Sequence, residues 1–193
     1  MTISILGAGS IGQALARNFV RAKLDVLIAN RSGTDGLAKL GPNVQPASMA
    51  QALAAEVVIL AVPFQAVASA VADAPPWKAR LVIDATNALD LPGFTPSDLG
   101  GRMSTHVVAE AVPGARVVKA FNTLPAAVLG EPPSQGNRRR VLFVSGDDEA
   151  ANKEAAELID QLGFAPIILG KIAEGGRLQQ FGGPLTVIDL ARR

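Results

Sequence analysis

Near its start the chain reads Gly7-Ala8-Gly9-Ser10-Ile11-Gly12, between an apolar run, Ile3–Leu6, and a segment with Ile11, Leu15, Phe19 and Val20 on one helical face. G-x-G-x-x-G alone is a weak pattern; a strand before it and a helix after it are the context in which it binds a pyrophosphate. Gly7 permits the tight turn, Gly9 lets the backbone approach phosphates, and Gly12 lets helix and strand pack closely. The free N–H groups at Ser10 and Ile11, with the positive end of the helix dipole, face the same anion.

Such an opening demands strand–helix alternation, and the alternation runs the whole length. Strands are expected at Ile3–Leu6, Asp25–Ala29, near Val44, and at Val57–Ala61, Leu81–Asp84, Arg116–Ala120, Arg140–Ser145 and Pro166–Leu169. Helices are expected at Ser10–Ala22, Gly36–Leu40, from the cap Ser48 to Ala54, at Phe64–Ala72 with Pro63 in its first turn, from the cap Ser104 to Val112, and from about Glu149 to Leu162. Residues 87–103 read as irregular, and the tail from Ile172 as helical until Gly182-Gly183-Pro184. The run Arg138–Arg140 reads as a solvated loop entering a strand. The expected fold is α/β: a doubly wound, mostly parallel sheet of the Rossmann NAD(P)-binding kind with a C-terminal α/β extension. We expect one domain over 1–193, its core spanning about residues 1–125 and the extension 126–193.

Composition narrows the chemistry. Of 193 residues 49% are hydrophobic and 18% charged, enough for a substantial core. Cysteine is absent and His106 is the one histidine, which removes thiolate metal sites, histidine pairs and cysteine nucleophiles; no metal is expected. A net charge of +1 provides no field for a polyanion, so no nucleic-acid partner is expected. The longest uncharged apolar stretch, Val57–Ala72, contains Pro63 and Gln65 and falls short of the roughly 20 residues of a membrane span. With no signal sequence, the expected compartment is the cytoplasm. The apolar tail Pro184–Leu190 reads equally as a homodimer contact and as core packing.

The second strand ends at Ala29 and is followed by Asn30-Arg31-Ser32. In this fold an acidic residue there accepts the ribose 2′-hydroxyl of NAD. Asn30 has no charge to repel a 2′-phosphate, Arg31 offers a planar fork of donors, and Ser32 adds a hydroxyl. These three residues favour NADP(H). Ligands of open parallel sheets bind at the carboxyl ends of the strands. Five loops should therefore share one rim: the glycines, Asn30–Ser32, Ala61-Val62-Pro63, Asp84–Leu89 and Lys119–Pro125. Ala61 and Val62 would wall the nicotinamide ribose, while Thr86, Asn87, Asn122 and Thr123 supply neutral hydrogen-bonding groups.

These motifs, with Val117–Thr123, Ser145-Gly146-Asp147-Asp148 and Gly176–Gln180, resemble the coenzyme F(420)-dependent NADP oxidoreductases. They are also similar to the cytoplasmic reductase domain of the six-transmembrane epithelial metalloreductases. The resemblance implies hydride transfer between NADPH and a deazaflavin or flavin: coenzyme F(420), FAD or FMN. It places that ring against Asn87-Ala88, Phe121-Asn122-Thr123 and the tail near Leu178. Asn122 stands where the archaeal deazaflavin enzymes usually carry His, and Phe181–Pro184 is a looser match.

Hydride transfer to such a ring needs positioning more than an acid or base. The sequence agrees: with no tyrosine, a Tyr-Lys dyad is impossible, and no catalytic side chain is expected. His106 reads as structural or solvent-facing, and Lys119, inside a strand, as reaching the rim or a carboxylate. Two other readings remain open: an imine or carbonyl reductase like the pyrroline-carboxylate reductases, though the chain ends at Arg193 without their helical dimer domain, and a non-catalytic NADP-binding sensor.

Overall fold

The computed structural model describes residues 1–193. Its elements in chain order are β1 (Ile3–Leu6), α1 (Ser10–Ala22), β2 (Val26–Ala29), β3 (Val44–Pro46), α2 (Met49–Leu53), β4 (Val57–Leu60), α3 (Val67–Val71), β5 (Leu81–Asp84), β6 (Leu89–Asp90), β7 (Thr95–Pro96), α4 (Ser104–Ala111), β8 (Arg116–Ala120), α5 (Ala126–Leu129), β9 (Ser134–Gln135), β10 (Arg138–Gly146), α6 (Glu149–Gln161), β11 (Ala165–Ile168), α7 (Arg177–Gln179) and β12 (Ala191–Arg192). No helix is long and apolar enough to cross a membrane.

The main sheet runs β11-β10-β8-β5-β4-β1-β2-β3, with β9 and β12 joined to the outer part of β10. From β3 to β8 every pairing is parallel; β10 is antiparallel to β8, and β11 is parallel to β10. This is the mostly parallel Rossmann-like sheet expected, with its last two strands reversed. The strands are apolar on both faces because helices cover both. Along β4, Val57 and Ile59 enter the core under α1 and α6, whereas Val58 and Leu60 enter the core under α2, α3 and α4. Both edge strands carry a proline, Pro46 and Pro166, which withholds an N–H from any strand pairing there.

Local readings are corrected at five places. Ser104 is not a cap: Met103 holds that position, and the buried Ser104 Oγ has no hydrogen-bond partner. Ser48 does cap α2, in a reciprocal box with Gln51. Pro63 precedes a tight 3-10 turn, Phe64–Ala66, before α3 begins. The span read as irregular contains the β6–β7 hairpin. Beyond Gln179 the tail leaves helical geometry and returns to the sheet as β12. The arginine run is strand from Arg138 onward: Arg139 pairs with Asp160 at 2.7 Å, and Arg140 with Asp189 at 2.8 Å and Glu131 at 3.1 Å. Within the tail, Leu185 packs on a small cluster with Phe143, while Val187, Ile188 and Leu190 stay exposed.

Candidate functional site: two clefts at the carboxyl ends of the strands

Because β1, β2, β4, β5 and β8 run parallel, the five loops after them lie at one end of the sheet. The first loop is fixed by backbone sterics. Gly7 has φ +104°, and a Cβ there would overlap the carbonyl oxygen of Ala61. A Cβ on Gly12 would overlap the carbonyl oxygen of Gly7. Around Gly9, by contrast, a Cβ would meet nothing within 4 Å: the backbone there borders open space. Gly9 caps α1 without a side-chain bond, and the first turn has no acidic residue. The N–H groups at Ser10 and Ile11 are therefore left for an anion.

Two clefts meet at Val62 and Pro63, which line both. One, of about 630 Å³, runs from Gly7 past Asn30, Arg31 and Ser32 to the apolar side chains of Met49 and Leu53. Asn30 Nδ2 donates to Ser32 Oγ at 3.2 Å. Arg31 is exposed and forms no ion pair, so its guanidinium is free for a phosphate. The other cleft, of about 580 Å³, lies between Ala61–Phe64 and the loop after β5, with Ile11 at its inner end. Thr86 and Asn87 give it hydrogen-bonding groups, and Leu89 and Leu91 close its outer side.

Beneath this rim lies a polar layer. Asp84 and Lys119 are opposite one another in the β5–β8 register, 0% and 1% exposed, with Nζ 3.0 Å from Oδ2. Thr105 on α4 donates to the same Oδ2 at 2.7 Å, and the Thr86 hydroxyl and N–H donate to Oδ1 at 2.6 and 2.9 Å. Lys119 Nζ also donates to the Thr86 carbonyl at 3.1 Å. Burial pushes the Asp84 carboxyl up, but the Lys119 ammonium and the two hydroxyls outweigh it and hold the group below the usual carboxylate range. The pair thus clamps the backbone that carries Asn87. Lys119 reaches a carboxylate, as its place inside a strand implied.

Asn122 Nδ2 donates to Asn87 Oδ1 at 3.0 Å and to the Gln179 carbonyl at 2.7 Å, while Asn87 Nδ2 donates to the Asn122 carbonyl at 2.9 Å. Gln179 is fully buried; its Nε2 donates to the Lys119 carbonyl at 3.0 Å, and its Oε1 accepts from Ser145 at 3.1 Å. Of the residues expected to touch a second ring, Ala88, Phe121, Asn122 and Thr123 are buried beneath the rim, with Phe121 held at φ +64°. Leu178 is 41% exposed on α7 and does not line the cleft. Asp147, prominent among the motifs, pins the tail: its Oδ1 accepts from the Ile172 N–H at 3.1 Å, and its Oδ2 lies 3.2 Å from His106 Nε2. His106 is thus a structural partner. Gln179 and Leu91 were not foreseen as site residues. The glutamine had only its place in the Gly176–Gln180 motif to mark it.

The site fits a dinucleotide on observations of its own: the space kept open at Gly9, the unclaimed first turn of α1, and the free Arg31 at the end of β2. Residues 2–88 match the family model described as NADP oxidoreductase coenzyme F(420)-dependent. The chain is 25% identical over 179 residues to the metalloreductase STEAP3 of Rattus norvegicus, covering 92% of this chain and 35% of that protein, so it spans about a third of that relative's length. A solved structure of the hypothetical protein SMa0349 from Sinorhizobium meliloti is 49% identical, with a TM-score of 0.97 and coverage of 100% of this chain and 96% of the other. A protein of Arthrobacter sp. FB24 assigned as an F(420)-dependent NADP-reductase is 29% identical, with a TM-score of 0.74 and coverage of 90% and 86%. Over residues 2–88 the chain is thus similar to the coenzyme F(420)-dependent NADP oxidoreductases, and NADP(H) is the cofactor that this match and the similar structures support.

Proposed function

We propose that the chain moves a hydride between NADPH and a deazaflavin or flavin ring seated in the cleft of about 580 Å³ beside Ala61–Phe64. The observation that carries this reading is the character of that cleft: apolar walls, Thr86 and Asn87 as neutral hydrogen-bonding groups, and no histidine, lysine or tyrosine. Bound NADPH supplies two electrons and one proton as a hydride, and the ring takes a second proton from water, leaving NADP+ and the dihydro ring. The protein's share is positioning, which needs donor and acceptor about 3–3.5 Å apart.

In this reading Gly7, Ala8, Gly9, Ser10, Ile11 and Gly12 bind the pyrophosphate, and Asn30, Arg31 and Ser32 hold the 2′-phosphate. Ala61, Val62 and Pro63, the ridge between the clefts, set the bend of the cofactor, with Thr86 and Asn87 at its nicotinamide end. Leu89 and Leu91 exclude water on the outer side. Ala88, Phe121, Asn122 and Thr123 act from beneath, by fixing the loop that carries Asn87.

The test is a titration of the protein with NADPH, followed by anaerobic addition of oxidised coenzyme F(420), FAD or FMN while NADPH absorbance is followed. Fast oxidation with one of them is expected; tight NADPH binding with no oxidation by any would remove the reductase reading. The cofactor assignment has its own test. Arg31→Ala should weaken NADPH about 10- to 100-fold, the loss of charge-assisted bonds to one phosphate, and leave NADH within about three-fold. Equal losses for both would remove Arg31 from the 2′-phosphate site.

A further inference from the structure

We propose that Thr86 and Asn87 read the carboxamide of the nicotinamide, Thr86 as a hydrogen-bond acceptor and Asn87 as a donor, and so hold the ring one way round. The inference rests on the cofactor reading above, which brings the nicotinamide into the cleft of about 580 Å³.

Both residues line that cleft, as does Ile11 from the unclaimed first turn of α1. The hydrogen-bonding sense of each is decided beneath the surface. Thr86 is 2% exposed. Its hydroxyl lies 2.6 Å from Asp84 Oδ1, and an ionised carboxylate has no proton to give. Lys119 at 3.0 Å and Thr105 at 2.7 Å, both on Oδ2, keep Asp84 ionised. The Thr86 proton is therefore committed to Asp84, and the Thr86 N–H goes to the same Oδ1. To a ligand the Thr86 oxygen offers lone pairs only.

Asn87 is oriented by main chain. Its Nδ2 lies 2.9 Å from the Asn122 carbonyl, which can only accept, so the amide cannot be turned over. Its Oδ1 accepts from Asn122 Nδ2 at 3.0 Å, and that nitrogen is fixed in turn by the Gln179 carbonyl at 2.7 Å. One Nδ2 hydrogen of Asn87 remains unclaimed. Adjacent residues thus show the cleft an acceptor and a donor, the complement of a primary carboxamide. A carboxamide turned over sets its NH2 against the Asn87 N–H and its oxygen against the Thr86 oxygen, and loses both bonds.

Three ligands separate the two bonds. NADP+ has both groups. Its acetylpyridine analogue keeps the carbonyl and replaces the NH2 by methyl; its thionicotinamide analogue keeps the NH2 and replaces the oxygen by sulfur. Each is used to displace NADPH from the protein, and the loss of bound NADPH fluorescence gives its affinity. The acetylpyridine analogue is expected to bind about 10-fold or more weakly than NADP+, since it leaves the buried Thr86 oxygen facing a methyl group. The thionicotinamide analogue should stay within about five-fold, a weakened bond to Asn87 being its only loss. Thr86→Val should weaken NADP+ and bring it within about two-fold of the acetylpyridine analogue, whereas Thr86→Ser should keep the two apart. A ratio of affinities within one variant is unmoved by a general loss of stability. The three ligands also test the proposal on the unaltered protein, whether or not Thr86→Val folds.

An acetylpyridine analogue that binds as tightly as NADP+, or a discrimination that persists in Thr86→Val, overturns the proposal. If NADPH is nonetheless oxidised by a flavin or by coenzyme F(420), the hydride-transfer reading survives that failure. If the analogues are discriminated but no acceptor oxidises NADPH, that reading falls and the carboxamide site stands. If NADPH does not bind, both fall together.

Discussion

Lys119→Met is expected to cost the fold about 3–5 kcal/mol, because it leaves the Asp84 carboxylate buried without its counter-charge. Urea unfolding followed by circular dichroism measures this. The double variant Asp84→Leu/Lys119→Met should recover most of the loss, since an apolar pair of similar volume carries no desolvation penalty. Its NADPH oxidation should nonetheless fall, because Thr86 then loses every bond that fixes its N–H, hydroxyl and carbonyl. A double variant as unstable as the single would mean that the layer stabilises through more than its charges. The pair also sets an acid limit. Asp84 is held below its ordinary range, so its contribution is complete above about pH 4–5, where an unfolded carboxyl is ionised, and is lost as pH falls through the native value. In Lys119→Met, acid unfolding should begin at higher pH.

The glycine loop gives an equally large effect, divided in two. Gly12→Ala drives a Cβ into the Gly7 carbonyl oxygen and should cost about 3 kcal/mol or more, lowering the melting temperature and NADPH affinity together. Gly9→Ala meets nothing in the protein and should leave the melting temperature within a degree or two. Its methyl group projects into the space where the cofactor backbone approaches, so NADPH affinity should fall about 100-fold or more, the cost of a lost charge-assisted phosphate contact. Calorimetry and a fluorescence titration on the two variants separate the roles. Retained affinity in Gly9→Ala would place the pyrophosphate elsewhere.

The difference between these two sites shows what the sequence exposes. The glycine loop and Arg31 are legible because strand, turn and helix follow one another within about thirty residues, and each residue type has a local reason to be there. The Asp84–Lys119 pair is harder: a lysine inside an apolar strand signals a buried partner, but the partner is 35 residues away and only strand register brings the two opposite. Gln179 bonds the Lys119 carbonyl across 60 residues, and a glutamine has no periodicity or charge to announce it. The reversal of β10 is invisible for a related reason, since alternation of apolar residues carries no direction. The cap at Ser104 is displaced by one residue, within the ordinary scatter of helix ends: Met103 holds the position, and the Ser104 N–H, one of the helix's orphan donors, is satisfied by Gln180 Oε1 at 2.7 Å, 76 residues further along.

That bond and those of Gln179 have a bearing on how the molecule comes into being. A ribosome releases the glycine loop and the strands around it early, and they can bury their apolar faces while synthesis continues. The amide that braces Asn122, and through it Asn87, belongs to a residue made nearly a hundred positions after Asn87 itself. A nascent chain would therefore form its glycine loop before the segment bearing Gln179 has been made, and the loop that carries Asn87 would be braced only once that segment arrives.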